Sequence, residues 1–403
     1  MIACYVGYFV EAITINLLAV IFIPLRDEFG LTYAQFGTFI FVIFIIELLI
    51  TIFFSKALDR IGAKPFLIPA LFTVIGGLIL FALAPALFPG NVYAGFMAAV
   101  VLFAFGGGIM ELCMSPIVDA IPSDAADSSK ALAFLHSFYA WGQVAVVLFT
   151  TILLFAGAPW RAIVAAWAIV PVAAAVLFAR APIAKRAAGD KVMAIKKLFR
   201  TGIFLLALAA IACGGASEII IAQYASSFLE RGLGLPKMLG DILGLCGFAA
   251  LLAAGRMLYG ILGDKIDIHM VLYGGSALAL AAYFVIVFSP AGAPSVVAIA
   301  LCGLFVSLLW PGTLSVASKG LPLAGASMLA LLSASGNLGC SIGPWVSGVV
   351  TDFSMQRQAP WAAFGAEQFG LRAGLLAGAL FPLASFIIQL ALKRSADKFD
   401  RRL

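Results

Sequence analysis

Four glutamates lie within long apolar stretches of the sequence. They are Glu11, Glu47, Glu111 and Glu218. An ionisable side chain inside such a stretch is energetically costly, so it is expected to serve a function. A carboxyl group there can carry a proton, coordinate a cation or accept hydrogen bonds from a polar solute. These residues are the starting point for a functional hypothesis.

Glu111 follows three consecutive glycines, Gly106, Gly107 and Gly108, by about one helical turn. Glycines at this spacing allow a neighbouring helix to approach closely, or leave bare backbone facing a cavity. A carboxyl group in a dry site can hold a proton and release it when water enters. The alternative is a structural glutamate that bonds to a neighbouring helix.

Glu47 differs from the other three, because its neighbours Ile45, Ile46, Leu48 and Leu49 are all apolar. We expect its side chain to face lipid or a packed helix. It is therefore left out of the predicted site.

Aromatic and polar side chains cluster around His136. His136, Tyr139 and Gln143 are spaced i, i+3 and i+7, so they share one face of a helix. Aromatic rings with hydrogen-bonding edges suit the apolar faces and polar rims of a sugar. A simple aromatic packing face is the alternative. Weaker candidates later in the chain are Gln223, Trp310 and Asn337.

The composition indicates a membrane protein. Apolar residues make up 64% of the 403 positions and charged residues only 11%, against about 25% charged in soluble domains. The net charge of +6 does not indicate nucleic-acid binding, because the basic residues lie in short loops between apolar runs. With two histidines, no His-Glu-x-x-His or Gly-x-Ser-x-Gly motif and no Cys-x-x-Cys pair, we expect no enzyme activity, metal site or cofactor.

Twelve apolar runs are long enough to cross a membrane as helices, which takes about 20 residues each. Backbone groups cannot stay unpaired in lipid, so each run is predicted to be helical. The predicted spans are Ile2–Ile23, Gln35–Lys56, Pro65–Leu87, Val92–Val118, Ala131–Phe155, Ala162–Phe178, Gly202–Phe228, Leu239–Leu262, His269–Phe288, Ser295–Ser318, Ala324–Val350 and Leu371–Leu392.

The basic residues are distributed unevenly between the two sides of this bundle. If the N-terminus is cytoplasmic, 19 of the 25 Lys and Arg residues lie on the cytoplasmic side and six on the other. The larger group includes Arg256, which is counted on the cytoplasmic side although it lies within the predicted eighth span. By the positive-inside rule, both termini are predicted to be cytoplasmic.

The longest connection divides the chain into residues 1–179, a linker of residues 180–201, and residues 202–403. Within the linker Val192, Ile195 and Phe199 share a helical face, which is typical of a short helix on a membrane surface. A regulatory docking site is the alternative.

The two halves contain an internal repeat. Asp59 after the second span and Asp264 after the eighth are 205 positions apart. Glu11 and Glu218 are 207 positions apart, so they occupy nearly equivalent places in the first and seventh spans. Coincidence is the alternative for this pair.

The run Asp59-Arg60-x-Gly62-x-Lys64 resembles the loop signature of the major facilitator superfamily, and Asp264 marks its second copy. Gly62 permits a tight turn, and Asp59 can cap or pair with a neighbouring helix end. The resemblance implies an all-α membrane protein, with twelve transmembrane helices in two pseudo-symmetric six-helix bundles. It also implies that the first and seventh helices face each other across a central cavity.

A closer resemblance involves the fucose permease and sodium–glucose transporter branch of that family. The stretch Gly107-Gly-Ile-Met-Glu111-Leu-Cys-Met-Ser-Pro116 is similar to its Gly-x-x-x-Glu-x-x-x-Asn-Pro sequence, with Ser115 in place of Asn. This similarity implies that Glu111 carries a coupled proton and contacts the solute. Further matching stretches surround His136, Glu218, Gly303, Trp310 and Gly336.

Together these observations predict a secondary active transporter that moves a small polar solute, expected to be a sugar, by proton-coupled symport with alternating access. Glu11 and Glu218 are expected to contact solute or ion jointly. A sodium-coupled sugar carrier and a proton-coupled exporter of amphipathic compounds are the alternatives. We expect a multi-pass monomer in the bacterial inner membrane, with lipid and a small-molecule solute as its partners and no nucleic acid.

Overall fold

The computed structural model describes residues 1–119, 125–183, 195–262, 266–290, 292–321, 325–357 and 365–400, which form helices joined by short turns. No strand occurs within these ranges. Twelve long helices are present: α1 Ile2–Phe29, α2 Tyr33–Ile61, α3 Lys64–Leu87, α4 Val92–Asp119, α5 Ala125–Phe155, α6 Trp160–Arg180, α7 Gly202–Gly232, α8 Lys237–Leu262, α9 Ile268–Phe288, α10 Gly292–Gly320, α11 Gly325–Gln356 and α12 Ala366–Ser395.

Each predicted span corresponds to one of these helices. Eleven of the twelve, all except α11, are both long and apolar enough to cross a membrane. The observed helices extend beyond several predicted ends. For example, α1 continues through Pro24 to Phe29 instead of ending at Ile23.

The connection between α1 and α2 is a tight turn defined by its sequence. Gly30 ends α1 with a positive φ of 67°, a conformation that glycine adopts without strain. Thr32 then caps α2 by accepting a hydrogen bond from the Gln35 backbone, and the Gln35 side chain bonds back to Thr32.

The predicted loop signature lies partly within a helix. Asp59 and Arg60 belong to the last turn of α2, because the helix continues to Ile61 rather than ending at Lys56. Gly62 follows with a φ of 86°, so the predicted tight turn is located at this glycine. The Asp59 side chain and the whole of Asp264 lie outside the described residues.

Three of the helices are interrupted, and each break precedes a proline by three residues. The breaks lie at Ala168 in α6, at Leu308 in α10 and at Ala379 in α12. Proline lacks the backbone N–H that would bond to the carbonyl four residues earlier, so the regular hydrogen-bond ladder is lost there. The prolines are Pro171, Pro311 and Pro382.

The linker between the halves contains a short helix, Ile195–Leu198. Leu198 is buried against Phe204 and Met328, so this end of the linker packs on α7 and α11. Phe199 is exposed. Val192, which shares the predicted apolar face, lies outside the described residues, and the membrane-surface helix stays a prediction.

The two halves meet along the helix pairs α1–α7, α2–α11 and α5–α8. Ion pairs join them at the end of the bundle that contains the α1–α2 turn. Arg26 Nε lies 3.1 Å from Glu367 Oε1, and Arg231 pairs with Asp27. The Tyr33 hydroxyl also donates to Glu367. Every ion pair between the halves that the described residues form lies here, and we call this the closed end.

Candidate functional site

A cavity lies between the two halves, near the middle of the helices. Its volume is about 110 Å³. Its wall is formed by α1, α2, α4 and α5 from the first half and by α7, α8, α10 and α11 from the second.

Most of the predicted site residues line this cavity. Glu11 and Glu218, the pair found through the repeat, lie on α1 and α7, which pack against each other. The other predicted residues in the wall are Glu111, His136, Tyr139, Trp310 and Asn337.

Gln143 and Gln223 were also predicted, but they do not line the cavity. Both are almost fully buried one or more turns nearer the closed end. The Gln223 side chain donates to the carbonyl of Ile15 at 3.1 Å and so bridges α1 and α7. The i, i+3 and i+7 spacing that suggested Gln143 gives no depth along the helix axis.

Arg256 lies inside α8, as the predicted eighth span implies, although the sequence analysis counted it with the cytoplasmic loop charges. Its guanidinium lines the cavity, and Nη2 is 3.0 Å from both carboxylate oxygens of Glu218. The count of charges by side did not consider it as an intramembrane residue. Its position inside the predicted span Leu239–Leu262 was the signal that could have identified it.

The break in α10 provides a second partner for Arg256. Because Pro311 has no N–H, the Ser307 carbonyl lacks its helical donor. Arg256 Nε occupies that position, with an N···O distance of 3.1 Å. The guanidinium therefore connects α7, α8 and the interrupted α10 on one wall of the cavity.

The opposite wall contains carboxyl groups that form no salt bridge with any of the described residues. Glu111 Oε2 accepts a long hydrogen bond of 3.4 Å from Asn337 Nδ2, a contact that crosses between the halves. Glu11 and Glu47 are buried, and one carboxylate oxygen of each has no hydrogen-bond partner.

The placement of Glu47 contradicts the sequence analysis, which assigned it to lipid or packing. It is 1% exposed and lines the cavity. Adjacent residues on a helix point in different directions, so apolar neighbours in sequence say little about the face that Glu47 occupies. The residues one turn away, Ile43 and Ile50, are buried in the protein and were the better indicator.

The three glycines before Glu111 each allow a different helix to approach α4. A Cβ on Gly106 would lie 2.3 Å from the Ala70 carbonyl of α3, and one on Gly107 would lie 2.9 Å from the Thr14 hydroxyl of α1. A Cβ on Gly108 would lie 3.0 Å from the Glu47 Cα of α2. The prediction that these glycines permit close helix packing is confirmed by these contacts.

The wall formed by α1 and α5 carries hydrogen-bonded aromatic groups. The Tyr8 hydroxyl lies 3.2 Å from His136 Nδ1 and 3.4 Å from the Ser115 hydroxyl. Asn16 Nδ2 donates to the Tyr139 hydroxyl at 3.1 Å. Tyr8 and Asn16 were not singled out from the sequence, since the first span offered no spacing pattern for them.

Trp310 forms an apolar surface on the α10 side. Its ring lies over Gly336 of α11, where a Cβ would come within 2.3 Å of the ring, and close to Gly215 of α7. A flat aromatic ring beside hydrogen-bonding groups suits a ligand with one apolar and one polar face.

The sequence profile of the Major Facilitator Superfamily matches residues 4–344. This chain belongs to the major facilitator superfamily. It is therefore a multi-pass membrane transporter that binds a small-molecule solute, and not an enzyme. The twelve-helix, two-bundle prediction is confirmed. No curated protein matches the chain by sequence.

Several solved transporters of this superfamily have similar structures. A bacterial homologue of the human lysosomal transporter Spinster, in an inward-facing unoccupied conformation, has a TM-score of 0.74 at 16% identity and covers 99% of this chain and 97% of its own. A D-xylose–proton symporter has a TM-score of 0.75 at 12% identity, with coverages of 97% and 96%. The E. coli fucose:proton symporter has a TM-score of 0.64 at 18% identity, with coverages of 97% and 98%. Identities this low show a shared fold.

Proposed function

We propose that this superfamily member is a proton-coupled symporter of a small polar solute, a sugar, working by alternating access. The observation that carries the proposal is the division of charge in the cavity. Arg256 is engaged by Glu218, while the three other carboxyl groups in the wall have no such partner within the described ranges. Unpaired carboxyl groups in a water-poor site are suited to binding protons.

Glu111 is the proposed carrier of the coupled proton. Its contact with Asn337 crosses between α4 and α11, so movement of one half against the other changes its environment. When protonated, Glu111 is neutral and can donate a hydrogen bond to the solute. When water reaches the site, the charged form is stabilised and the proton leaves.

Sugar recognition is assigned to the aromatic and polar groups that share the cavity. Trp310 provides a flat apolar surface, and His136 and Tyr139 provide hydrogen-bonding edges on the opposite wall. Glu11 and Glu218 add carboxylate acceptors for hydroxyl groups. The similarity to proteins named as xylose–proton and fucose:proton symporters is compatible with this solute class.

The cross-half ion pairs support the alternating-access part of the proposal. Among the described residues they lie only at the closed end, so the two halves are joined by ion pairs at one end of the bundle. In a rocking mechanism these pairs break while the opposite end closes around the central site.

The proposal is tested with purified protein in liposomes. A thermal-shift screen against monosaccharides, nucleosides and amino acids first identifies a stabilising solute, because a ligand that binds the folded state raises its melting temperature. Uptake of that solute is then measured under an imposed pH gradient. Glu111→Gln is expected to keep solute exchange but to lose accumulation driven by the gradient, because the amide cannot release a proton.

The matched control is Glu28→Gln, which changes a glutamate that bonds to Trp160 and Arg161 outside the cavity. It is expected to accumulate solute like the wild type. Accumulation by Glu111→Gln at the wild-type level refutes the coupling assignment. Uptake that needs a sodium gradient supports a sodium-coupled carrier, and efflux driven by protons supports an exporter.

We further propose that the protein is a monomer in the bacterial inner membrane. Both termini are proposed to be cytoplasmic, since 18 of the 24 Lys and Arg residues other than Arg256 lie on that side in the assumed topology. Single cysteines at positions 89 and 188 are labelled with an impermeant maleimide in intact cells, on a background without native cysteines. We expect Pro89→Cys to react and Ala188→Cys to be protected. The reverse pattern contradicts the topology.

A further inference from the structure

Glu47 is a cavity carboxyl group for which the proposed transport cycle has no role. It lies on α2, 1% exposed, and its Oε1 atom has no hydrogen-bond partner. Gly108 of α4 packs directly against it, since a Cβ at that position would lie 3.1 Å from Glu47 Cγ. The close packing leaves the carboxyl group facing the cavity but shielded from bulk water.

Within the part of the chain that the structure describes, no positively charged group acts on Glu47. The groups that interact with it electrostatically are Glu111 of α4, Glu11 of α1 and the Cys340 thiol of α11. The Arg256 guanidinium lies on the opposite wall, where it bonds to the Glu218 carboxylate and to the Ser307 carbonyl. On the near wall, the His136 ring lies within hydrogen-bonding distance of the Tyr8 hydroxyl.

The position of α2 makes the surroundings of Glu47 sensitive to the transport movement. Along the same helix, Gly37 approaches α11 so closely that a Cβ would lie 2.8 Å from the Pro344 carbonyl. This contact belongs to the interface between the halves. A rotation of the second half therefore changes the access of water to the α2 side of the cavity.

We propose that Glu47 is a second proton-binding site, and that the transporter moves two protons with each solute molecule, one on Glu111 and one on Glu47. The inference rests on the proton-coupled transport proposed above. Each proton binds a carboxylate oxygen from one compartment and leaves as a hydrated proton into the other, so no other bond is formed or broken. Two neutralised carboxyl groups remove the mutual repulsion that would oppose formation of a closed, occupied cavity.

The first test measures the coupling ratio in liposomes with the membrane potential held at zero, using radiolabelled D-xylose and L-fucose as probes. A tenfold gradient of a neutral solute is balanced by about 0.5 pH unit if two protons move and by about 1 pH unit if one moves. The wild type is expected to balance at the lower value, Glu47→Gln at the higher value, and Glu47→Asp and Glu28→Gln at the lower value. A wild-type ratio of one overturns the proposal, as does an unchanged ratio in Glu47→Gln.

A second test needs no solute. Infrared spectra of the reconstituted protein are recorded in the carbonyl-stretch region of protonated carboxyl groups during a pH titration. Glu47→Gln and Glu111→Gln are each expected to lose a different titrating band, and Glu28→Gln to lose none. If Glu47→Gln retains every titrating band of the wild type, Glu47 is not a proton site. If the wild type transports neither sugar with protons, the proposed function fails, while the spectra still decide the role of Glu47.

Discussion

The acidic side chains on the two walls of the cavity differ in their partners. In the first half, Glu11, Glu47 and Glu111 face the cavity without a cationic partner in the part of the chain that the structure describes. In the second half, Glu218 is paired with Arg256, whose side chain is only 11% exposed.

The difference shows how duplicated halves can separate two tasks. Glu11 and Glu218 occupy repeat-related positions, yet among the described residues Arg256 forms its salt bridge with Glu218 and not with Glu11. A carboxylate paired with a guanidinium keeps its charge and its position, whereas an unpaired one is free to exchange a proton. We therefore assign proton binding to the first half and a fixed, polar solute contact to the second.

The largest expected effect comes from removing the fixed pair. Arg256→Met leaves the Glu218 carboxylate buried without a partner and the Ser307 carbonyl without its donor. Breaking a buried ion pair in this way lowers the free energy of unfolding by about 3–5 kcal/mol. Thermal and denaturant unfolding in detergent measure the change.

An exposed ion pair provides the control for this experiment. Lys393 and Asp267 lie 3.9 Å apart, with side chains 35% and 52% exposed. Lys393→Met is expected to change stability by about 0–1 kcal/mol, because water screens such pairs. The double variant Arg256→Met/Glu218→Leu is expected to recover most of the loss. If Arg256→Met and Lys393→Met change the free energy of unfolding equally, the cavity ion pair contributes no more to stability than an exposed pair, and this comparison is contradicted.

An intermediate effect is expected on solute binding. Glu218→Gln weakens a charged acceptor and frees Arg256, so the affinity for the solute, which we propose is a sugar, falls by about 1.5–3 kcal/mol, the usual value of a hydrogen bond to a charged group. Glu11→Gln is expected to lower affinity less and to leave the coupling ratio unchanged. Equilibrium binding and uptake assays compare the two. Loss of coupling in Glu11→Gln would transfer the proton-carrying role to that residue.

A smaller effect than that of Arg256→Met is expected from Gly108→Ala. The new Cβ would lie 2.9–3.1 Å from Ile50 and Glu47 and would push α2 away from α4. Overpacking costs about 1–3 kcal/mol, partly offset by a gain of about 1 kcal/mol in helix propensity. Gly274→Ala on α9 meets open space and should gain stability instead. If Gly108→Ala and Gly274→Ala shift the melting temperature in the same direction, close packing of α2 on α4 is contradicted.

The helices were predictable because apolar length is a strong signal in this composition. The interruptions were not predicted, since only the structure shows that Pro311 separates α10 into two segments, whereas Pro24 leaves α1 continuous. The outcome depends on whether neighbouring groups satisfy the freed carbonyl, and this is a tertiary property.

The cavity was only partly predictable for the same reason. Glu11, Glu111 and Glu218 stood out because they are charges in apolar runs, and all three line the wall. Glu47 met the same criterion and was set aside because of its immediate neighbours. Arg256 was not recognised as a site residue because it was counted with the loop charges. Its position inside the helix is what allows it to reach Glu218.

The glycine triplet of α4 also limits which amino-acid substitutions this sequence can accept during evolution. Gly106, Gly107 and Gly108 are adjacent in the chain but contact α3, α1 and α2, respectively. A larger residue at any one of them needs a compensating change in a different helix. Accepting side chains at all three requires coordinated changes in three separate segments of the chain. Substitution at this turn is therefore expected to be far slower than at glycines that meet open space, such as Gly274.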